Sequence, residues 1–174
     1  MAFYTLWVLG VLITAGACIA AGKTGQNLQK TWKFQREAIK HRGYKLISKN
    51  AIPVVGWLLA GMLMLSLASQ SSVLEAEAAT QPDRLCFFGS ALFFLAKSLE
   101  AFYKERVVVN DQGFIWTDEE YKYSQIRKVE RSGSRIDIIL KNGKDFLVSK
   151  AVGGVISQGL GEWMERRRKA GRIK

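Results

Sequence analysis

The side chains that most often carry catalysis are scarce in this chain of 174 residues. His41 is the single histidine, and it lies away from both cysteines, Cys18 and Cys86. Neither a histidine-based catalytic triad nor a usual zinc site can be assembled from these residues. Both cysteines lie in apolar segments and are predicted to be small buried hydrophobes. The sequence therefore predicts a protein that is not an enzyme and that holds no metal ion or cofactor.

Two other patterns resemble phosphate or metal sites. Gly22-Lys23-Thr24 copies the end of a phosphate-binding P-loop, but the first glycine of that motif would stand at position 17, which is Ala17. The acidic run Asp118-Glu119-Glu120 is predicted to lie at a turn, where consecutive carboxylates are normally solvated rather than bound to a cation. Both patterns are interpreted as structural.

The hydrophobic residues, 48% of the chain, are concentrated in segments long enough to cross a bilayer. Residues 2–22 and 51–72 carry no charged side chain, and a helix of about 20 apolar residues spans the hydrocarbon core. A third segment, 85–103, carries Lys97 and Glu100, which at this spacing can pair or extend toward the headgroups. The sequence predicts three transmembrane helices and a membrane domain over residues 1–103.

Small residues recur four positions apart in the predicted helices, as Gly16 with Ala20 and Gly56 with Ala60. Such spacing places both residues on one side of a helix and lets a second helix approach closely. We expect these pairs to pack within the protein, and packing with a partner is the alternative.

The charges of the connecting segments predict the orientation of the helices. Segment 23–50 carries one acidic residue among many basic ones, whereas segment 73–84 carries more acidic than basic residues. Basic segments next to membrane helices remain in the cytoplasm. The sequence therefore predicts an external N-terminus, a short external loop at 73–84, and a cytoplasmic location for everything after Tyr103.

The basic cytoplasmic loop 23–50 has a second possible role. Leu28, Trp32 and Ile39 fall near one helical face, and basic residues cover the remainder, as in helices that lie on an anionic membrane surface. Each basic side chain would gain about 1 kcal/mol there. The alternative is that these charges only fix the topology. The predicted contacts with anionic headgroups are Lys30, Trp32, Lys33, Arg36, Lys40 and Arg42.

From Glu105 onward the hydrophobic period becomes alternating, and turn residues arrive at short intervals, which predicts an antiparallel β-domain over residues 104–174. Asn142-Gly143 predicts a type I′ hairpin, because both central residues of that turn need positive φ. The predicted strands are 105–110, 113–117, 121–131, 135–141 and 144–149. A helix over 154–169 is predicted to cap the sheet through Ile156, Leu160, Trp163 and Met164.

The segments Val107–Ile115, Tyr123–Val129 and Ile136–Lys144 resemble the YcxB-like group of bacterial pleckstrin-homology-like (PH-like) domains, over roughly residues 105–168. The resemblance implies a bent β-sheet closed by a C-terminal helix, commonly placed after membrane helices, with no general catalytic site. It also implies a bacterial inner-membrane location. The residues that would define this fold are Tyr123, Ile126, Val129, Asn142, Gly143 and Trp163.

The fold class expected is thus an α+β membrane protein, with three transmembrane helices followed by a PH-like β-domain. The net charge of +11 fits anionic lipid better than nucleic acid, because the aromatic residues do not interleave with the basic ones as in a stacking platform.

We expect a protein-interaction or regulatory module with an unidentified protein partner and possible homo-oligomers. The alternative is an immunity or protective protein that acts through its helices and loops. A transporter or channel accessory subunit ranks third, because it needs polar groups that face a cavity at mid-membrane, and the first two helices offer only Thr14 and Ser66 there.

Overall fold

The computed structural model describes residues 2–48, 51–70 and 81–172, which form four α-helices and seven strands. The predicted α+β class, with three long apolar helices, antiparallel sheet and a C-terminal helix, is confirmed. The predicted external loop 73–84 lies outside the described residues up to position 80, and residues 81–84 belong to the third helix. The elements are α1 (Ala2–His41), β1 (Lys45–Ser48), α2 (Ile52–Gln70), α3 (Gln81–Lys104), β2 (Arg106–Val109), β3 (Gly113–Trp116), β4 (Glu119–Lys122), β5 (Ile126–Ser132), β6 (Arg135–Leu140), β7 (Asp145–Ser149) and α4 (Lys150–Arg172).

The chain divides into two compact units. The helical unit contains residues 1–29 and 52–102, and the β unit contains residues 30–51 and 103–174. The β unit is therefore assembled from two stretches of chain that flank α2 and α3. This division differs from the predicted boundary after residue 103, because residues 30–51 belong with the C-terminal domain.

Helix α1 also differs from the prediction, since it continues for 40 residues through most of the predicted basic loop. Residues 23–41 contain no proline, and their many Lys, Arg, Glu and Gln residues are good helix formers that offset the cost of Gly25. The helix ends where Gly43 adopts a φ of +67°, a conformation that favours glycine. The change from apolar to basic composition along α1 therefore does not mark the end of a helix.

The helices of the helical unit approach one another at small residues. A Cβ atom on Gly89 would lie 2.8 Å from Thr14 Oγ1, and one on Gly61 would lie 3.1 Å from Leu95. The expectation for the pairs at Gly16 and Gly56 was wrong, because no heavy atom of another part of the described chain comes within 4 Å of a Cβ built there. Small residues do lie at close helix contacts, as expected, but these are Gly61 and Gly89 rather than Gly16 and Gly56.

Polar groups of the helical unit find partners within it. Thr14 donates a hydrogen bond to the carbonyl of Leu85 at 3.1 Å, and Ser98 donates to the carbonyl of Val54 at 2.9 Å. Lys97 and Glu100 pair at 2.8 Å, as their spacing predicts. Cys18 is exposed rather than buried.

Two antiparallel sheets form the β unit, one of four strands in the order β1-β2-β3-β4 and one of three in the order β5-β6-β7. The predicted strand 121–131 was wrong in its continuity, because a 3₁₀ turn at Tyr123–Gln125 separates β4 from β5. The alternating pattern hides this break, at which the chain leaves one sheet and enters the other. Glu119 and Glu120 lie in β4, not at the predicted turn.

The four-stranded sheet is covered on both faces. Val107 and Phe114 belong to the larger core, which also contains residues of the three-stranded sheet and α4. Their neighbours Val108 and Ile115 belong to a second core that includes Ala38 of α1. Because successive strand residues point to opposite faces, burial on both sides explains the uninterrupted apolar run in these strands.

The hairpin between β6 and β7 is present, but its predicted type was wrong. Gly143 has a φ of +83°, whereas Asn142 does not adopt positive φ. The Gly143 amide donates to the Leu140 carbonyl at 3.1 Å, and the Leu140 amide donates to the Lys144 carbonyl at 2.8 Å. These bonds define a three-residue loop with glycine in the left-handed position.

Helix α4 begins at Lys150, earlier than predicted, because the Ser149 hydroxyl accepts a hydrogen bond from the Val152 amide at 3.3 Å and caps its first turn. Ile156 is fully buried, and Leu160 and Trp163 pack against the larger core. Met164 is 44% exposed, so its predicted place on the buried side was wrong.

Candidate functional site

Two concave surfaces of the β unit bring charged and polar side chains together. The first, here called the Trp32 cavity, has a volume of about 200 Å³ and is lined by Trp32, Gln35, Arg36, Ile39 and Arg106. The second, here called the β1–α4 cleft, has a volume of about 590 Å³ and is lined in part by β1 and α4.

Helical spacing determines which residues of α1 line the Trp32 cavity. Thr31, Gln35 and Ala38 are buried, and the Gln35 amide donates to the Thr117 carbonyl at 3.4 Å. Trp32 and Arg36 follow these residues by one position, so they lie along the margin of the buried row. Both side chains are exposed there.

Arg106, the first residue of β2, forms the other side of this cavity. Its guanidinium lies over the ring of Trp32, 5.4 Å from the ring centroid, which is within the range of a cation–π interaction. Burial lowers the pKa of Arg106 below its ordinary value, although an arginine remains charged at neutral pH. The cavity thus presents two guanidinium groups beside apolar surface.

The six predicted membrane-contact residues have different surroundings. Trp32 and Arg36 meet at the cavity, whereas Lys30, Lys33 and Lys40 are exposed on α1 and do not line it. Arg42 is held by Glu120 of β4 at 2.7 Å. Whether any of the six touches a membrane stays a prediction.

Glu120 also binds a second side chain near the end of α1. The Tyr44 hydroxyl donates to Glu120 at 2.8 Å. Burial, with the neighbouring carboxylate, raises the pKa of Tyr44 from 10.0 to about 12. Arg42 and Tyr44 therefore help to join the end of α1 to the edge of the four-stranded sheet.

Sequence reasoning missed Arg106 as a site residue. Its position in an apolar strand identified it only as the start of β2, and no spacing rule relates it to Trp32 on a separate segment. One signal was available, because Arg106 closely follows a predicted transmembrane helix, where basic residues commonly meet headgroups.

The β1–α4 cleft is open along an edge strand. β1 is hydrogen-bonded to β2 on one side only among the described strands, so its other edge presents backbone N–H and C=O groups. Arg166 of α4 donates to the Asp111 carboxylate at 3.0 Å and to the Asp111 carbonyl at 2.8 Å. The cleft lining includes Lys45, Ile47, Gln112, Tyr123, Gln158, Glu162 and Arg166.

Tyr123 lies in the wall of this cleft. Its hydroxyl is buried and has no hydrogen-bond partner within the described part of the chain. Burial, with the charge of Glu162, raises its pKa from 10.0 to about 12. The side chain packs directly against Gly159, where a Cβ atom would overlap the hydroxyl. The glycine therefore allows α4 to approach the core.

The residues proposed from the resemblance to define the fold occupy structural positions. Tyr123 and Ile126 are buried in the larger core, and Val129 and Trp163 pack against it. Asn142 and Gly143 form the loop between β6 and β7.

Comparisons with known proteins add no family assignment. No model of a known protein family matches the chain, and no curated protein matches it. The resemblance to YcxB-like domains therefore remains a prediction.

Proposed function

We propose that this protein is a non-enzymatic integral membrane protein that holds a PH-like interaction module at the cytoplasmic face of a bacterial inner membrane. Within the described residues, three helices are long and apolar enough to cross a membrane, with mean hydropathies of 1.5, 1.9 and 1.5. Under this proposal the N-terminus is external and the β unit is cytoplasmic, as the distribution of basic residues predicts.

Chain connectivity is the observation that carries the proposal. α1 passes from the apolar segment into the β unit without a break. β2 begins at Arg106 directly after α3 ends at Lys104, and α2 begins at Ile52 shortly after β1 ends at Ser48. Because no long linker stands at any of these connections, the β unit would remain at the membrane surface rather than sample the cytoplasm.

The architecture of the β unit supports the PH-like part of the proposal. Its two antiparallel sheets are followed by α4, which packs on the core through Ile156, Leu160 and Trp163. A sheet structure closed by a C-terminal helix is what the resemblance over residues 105–168 implies. Fold alone does not identify a ligand, and the binding role rests on the cleft.

The β1–α4 cleft suits an extended segment of a partner protein. A peptide that pairs with the open edge of β1 gains main-chain hydrogen bonds, and the cleft side chains supply selectivity. Lys45 and Ile47 lie two residues apart on the same side of β1 and offer the cleft a charge and an apolar contact, while Gln158 offers hydrogen-bonding groups from α4.

A photo-crosslinking amino acid at Lys45 or Gln158, introduced into the full chain in its native membrane, tests the proposal. We expect both positions to crosslink to the same short segment of one partner. A matched position at Arg127, exposed on β5 and outside the cleft, should not. Deleting residues 105–174 would be a poor test, because it removes the strands and helix against which residues 30–48 fold.

The proposed membrane location is tested separately from the crosslinking. We expect the protein to resist alkaline carbonate extraction, and a reporter active only in the cytoplasm to work at the C-terminus. Equal crosslinking from Lys45 and Arg127 would contradict the binding role of the cleft and favour a protein that acts through its helices.

A further inference from the structure

The Trp32 cavity lies where the β unit is joined to the apolar helices along the chain. The β unit begins on α1 at Lys30, and α3 ends at Lys104. Trp32 and Arg106 are each two residues beyond these points. Within the β unit, the indole N–H of Trp116 donates to the Lys104 carbonyl at 3.0 Å.

The cavity has the chemistry of a phosphate site next to apolar surface. Guanidinium groups bind phosphate oxygens through paired N–H donors, and Arg36 and Arg106 both line the cavity. Trp32 and Ile39 complete it with an aromatic ring and an aliphatic side chain. Tryptophan is enriched at the headgroup level of membranes because its ring is apolar and its N–H is polar.

Charges on the neighbouring elements favour an anion as well. On α1, Lys33 and Lys40 lie a helical turn from the cavity residues, with Glu37 as the acidic residue between them. Beside Arg106, Lys104 is cationic, and the Glu105 carboxylate accepts a hydrogen bond from Ser149 at 2.7 Å. The surroundings therefore carry an excess of positive charge.

We propose that the Trp32 cavity binds the phosphate group of an anionic phospholipid of the cytoplasmic leaflet, with Arg36 and Arg106 as donors and Trp32 and Ile39 against the glycerol and first acyl carbons. The inference rests on the proposed membrane location. It goes beyond a diffuse attraction of basic residues to the membrane, because it assigns one lipid to one cavity. A phospholipid fits better than free phosphate, since the apolar side of the cavity would have no role with an inorganic ion.

Native mass spectrometry of the full chain in detergent micelles, titrated with short-chain phosphatidylglycerol, tests this inference. We expect one lipid to be retained preferentially over phosphatidylcholine. Arg106→Gln and Arg36→Gln should each weaken this retention by about tenfold, because each removes charge-assisted hydrogen bonds. The matched controls Lys141→Gln and Arg127→Gln remove the same charge from exposed positions outside the cavity and should change retention by less than about twofold.

Arg36 is exposed on a helix, so Arg36→Gln keeps the test valid if Arg106→Gln disturbs β2. Equal weakening by all four variants would overturn the inference, because it would show a response to net charge alone. Equal retention of the two lipids, or full competition by inorganic phosphate at the concentration of the lipid, would also overturn it. Carbonate extraction separates these failures from a failure of the membrane proposal, since a protein can remain embedded without a selective lipid.

Discussion

Small side chains fill the interior of the helical unit, and large ones fill the interior of the β unit. Ala17, Ala91 and Ala96 are buried in the helical unit, while Leu12 and Leu63 are 64% and 58% exposed. The β unit shows the opposite distribution, with Phe114, Ile138 and other large side chains fully buried and charged residues over much of its surface.

The difference is the one expected if the helical unit lies in lipid, as proposed, and the β unit lies in water. In water, burial of large apolar side chains stabilises a fold, as it does in the β unit. In lipid, apolar surface gains little from burial, and helices associate through close packing of small residues and hydrogen bonds between helices. The helical unit uses both, through Gly61 and Gly89 and through the hydrogen bonds of Thr14 and Ser98.

The largest difference between the two units should appear when a phenylalanine of each is replaced by alanine and the free energy of unfolding is compared. Phe114→Ala leaves a cavity in the β-unit core and should lower the free energy of unfolding by about 3–5 kcal/mol. Phe88→Ala removes a partly exposed side chain of the helical unit and should change it by less than about 0.5 kcal/mol. Denaturant titration of the purified full chain in detergent measures both, and similar losses would contradict the comparison.

A lysine introduced at an exposed leucine of each unit tests whether that surface faces lipid or water. Leu63→Lys, near the middle of α2, should raise the free energy of membrane insertion by about 3 kcal/mol. Leu147→Lys, at a residue of β7 that is 48% exposed, should be tolerated. The carbonate-resistant fraction of each variant measures insertion, and equal fractions would show that α2 does not face lipid.

Glycines of α4 give a finer test of packing in the β unit. Gly159→Ala should lower the free energy of unfolding by about 1–3 kcal/mol, because the new methyl group overlaps the Tyr123 hydroxyl. Gly161→Ala places the same group where no atom outside its own helical backbone lies within 4 Å, and should instead stabilise the helix by about 0.5–1 kcal/mol. Thermal unfolding of both variants measures the difference, and a stable Gly159→Ala protein would show that α4 can shift.

The helical unit offers a matching pair of glycines, one in a close contact and one in open surroundings. Gly89→Ala should separate α3 from α1 at Thr14, whereas Gly56→Ala should have little effect because its surroundings are open. Helix separation can be followed by disulfide crosslinking between cysteines introduced on α1 and α3. Crosslinking that survives Gly89→Ala would indicate that the contact at Thr14 does not hold the two helices together.

Element types could be predicted from the sequence, because each depends on a local period. Apolar length predicted α2 and α3, and alternation predicted β6, where Ile138 and Leu140 are buried. Features that depend on a distant partner could not be predicted. β1, with the sequence KLIS, is too short to stand out, and it exists because it pairs with β2.

The candidate site was predictable only in part for the same reason. Trp32 and Arg36 could be found because both lie in the basic segment that was predicted to contact headgroups. Arg106 joins them through the tertiary fold, which no spacing in the sequence encodes. The break at Tyr123–Gln125 likewise arises where the chain passes from one sheet to the other. The alternating pattern of the sequence continues across this position and gives no sign of the break.

Alkaline pH should affect the β unit through its buried tyrosines. An unfolded tyrosine ionises near pH 10, whereas the folded-state pKa of Tyr44 and of Tyr123 is about 12. Between these values the unfolded state has lost protons that the folded state retains, so the stability falls as the pH rises. Below pH 10 this contribution is fully present. Near neutral pH none of this stability is lost, so under ordinary conditions the effect is the smallest of those considered.

The double variant Tyr44→Phe/Tyr123→Phe tests this pH dependence, because phenylalanine cannot ionise. We expect the fall in unfolding temperature between pH 10 and pH 12 to be shallower in the variant than in the parent protein. Lysine deprotonation occurs in both proteins and cancels in the difference. An unchanged slope would mean that these tyrosines are as accessible to hydroxide as exposed ones, and that the two cores of the β unit open before they titrate.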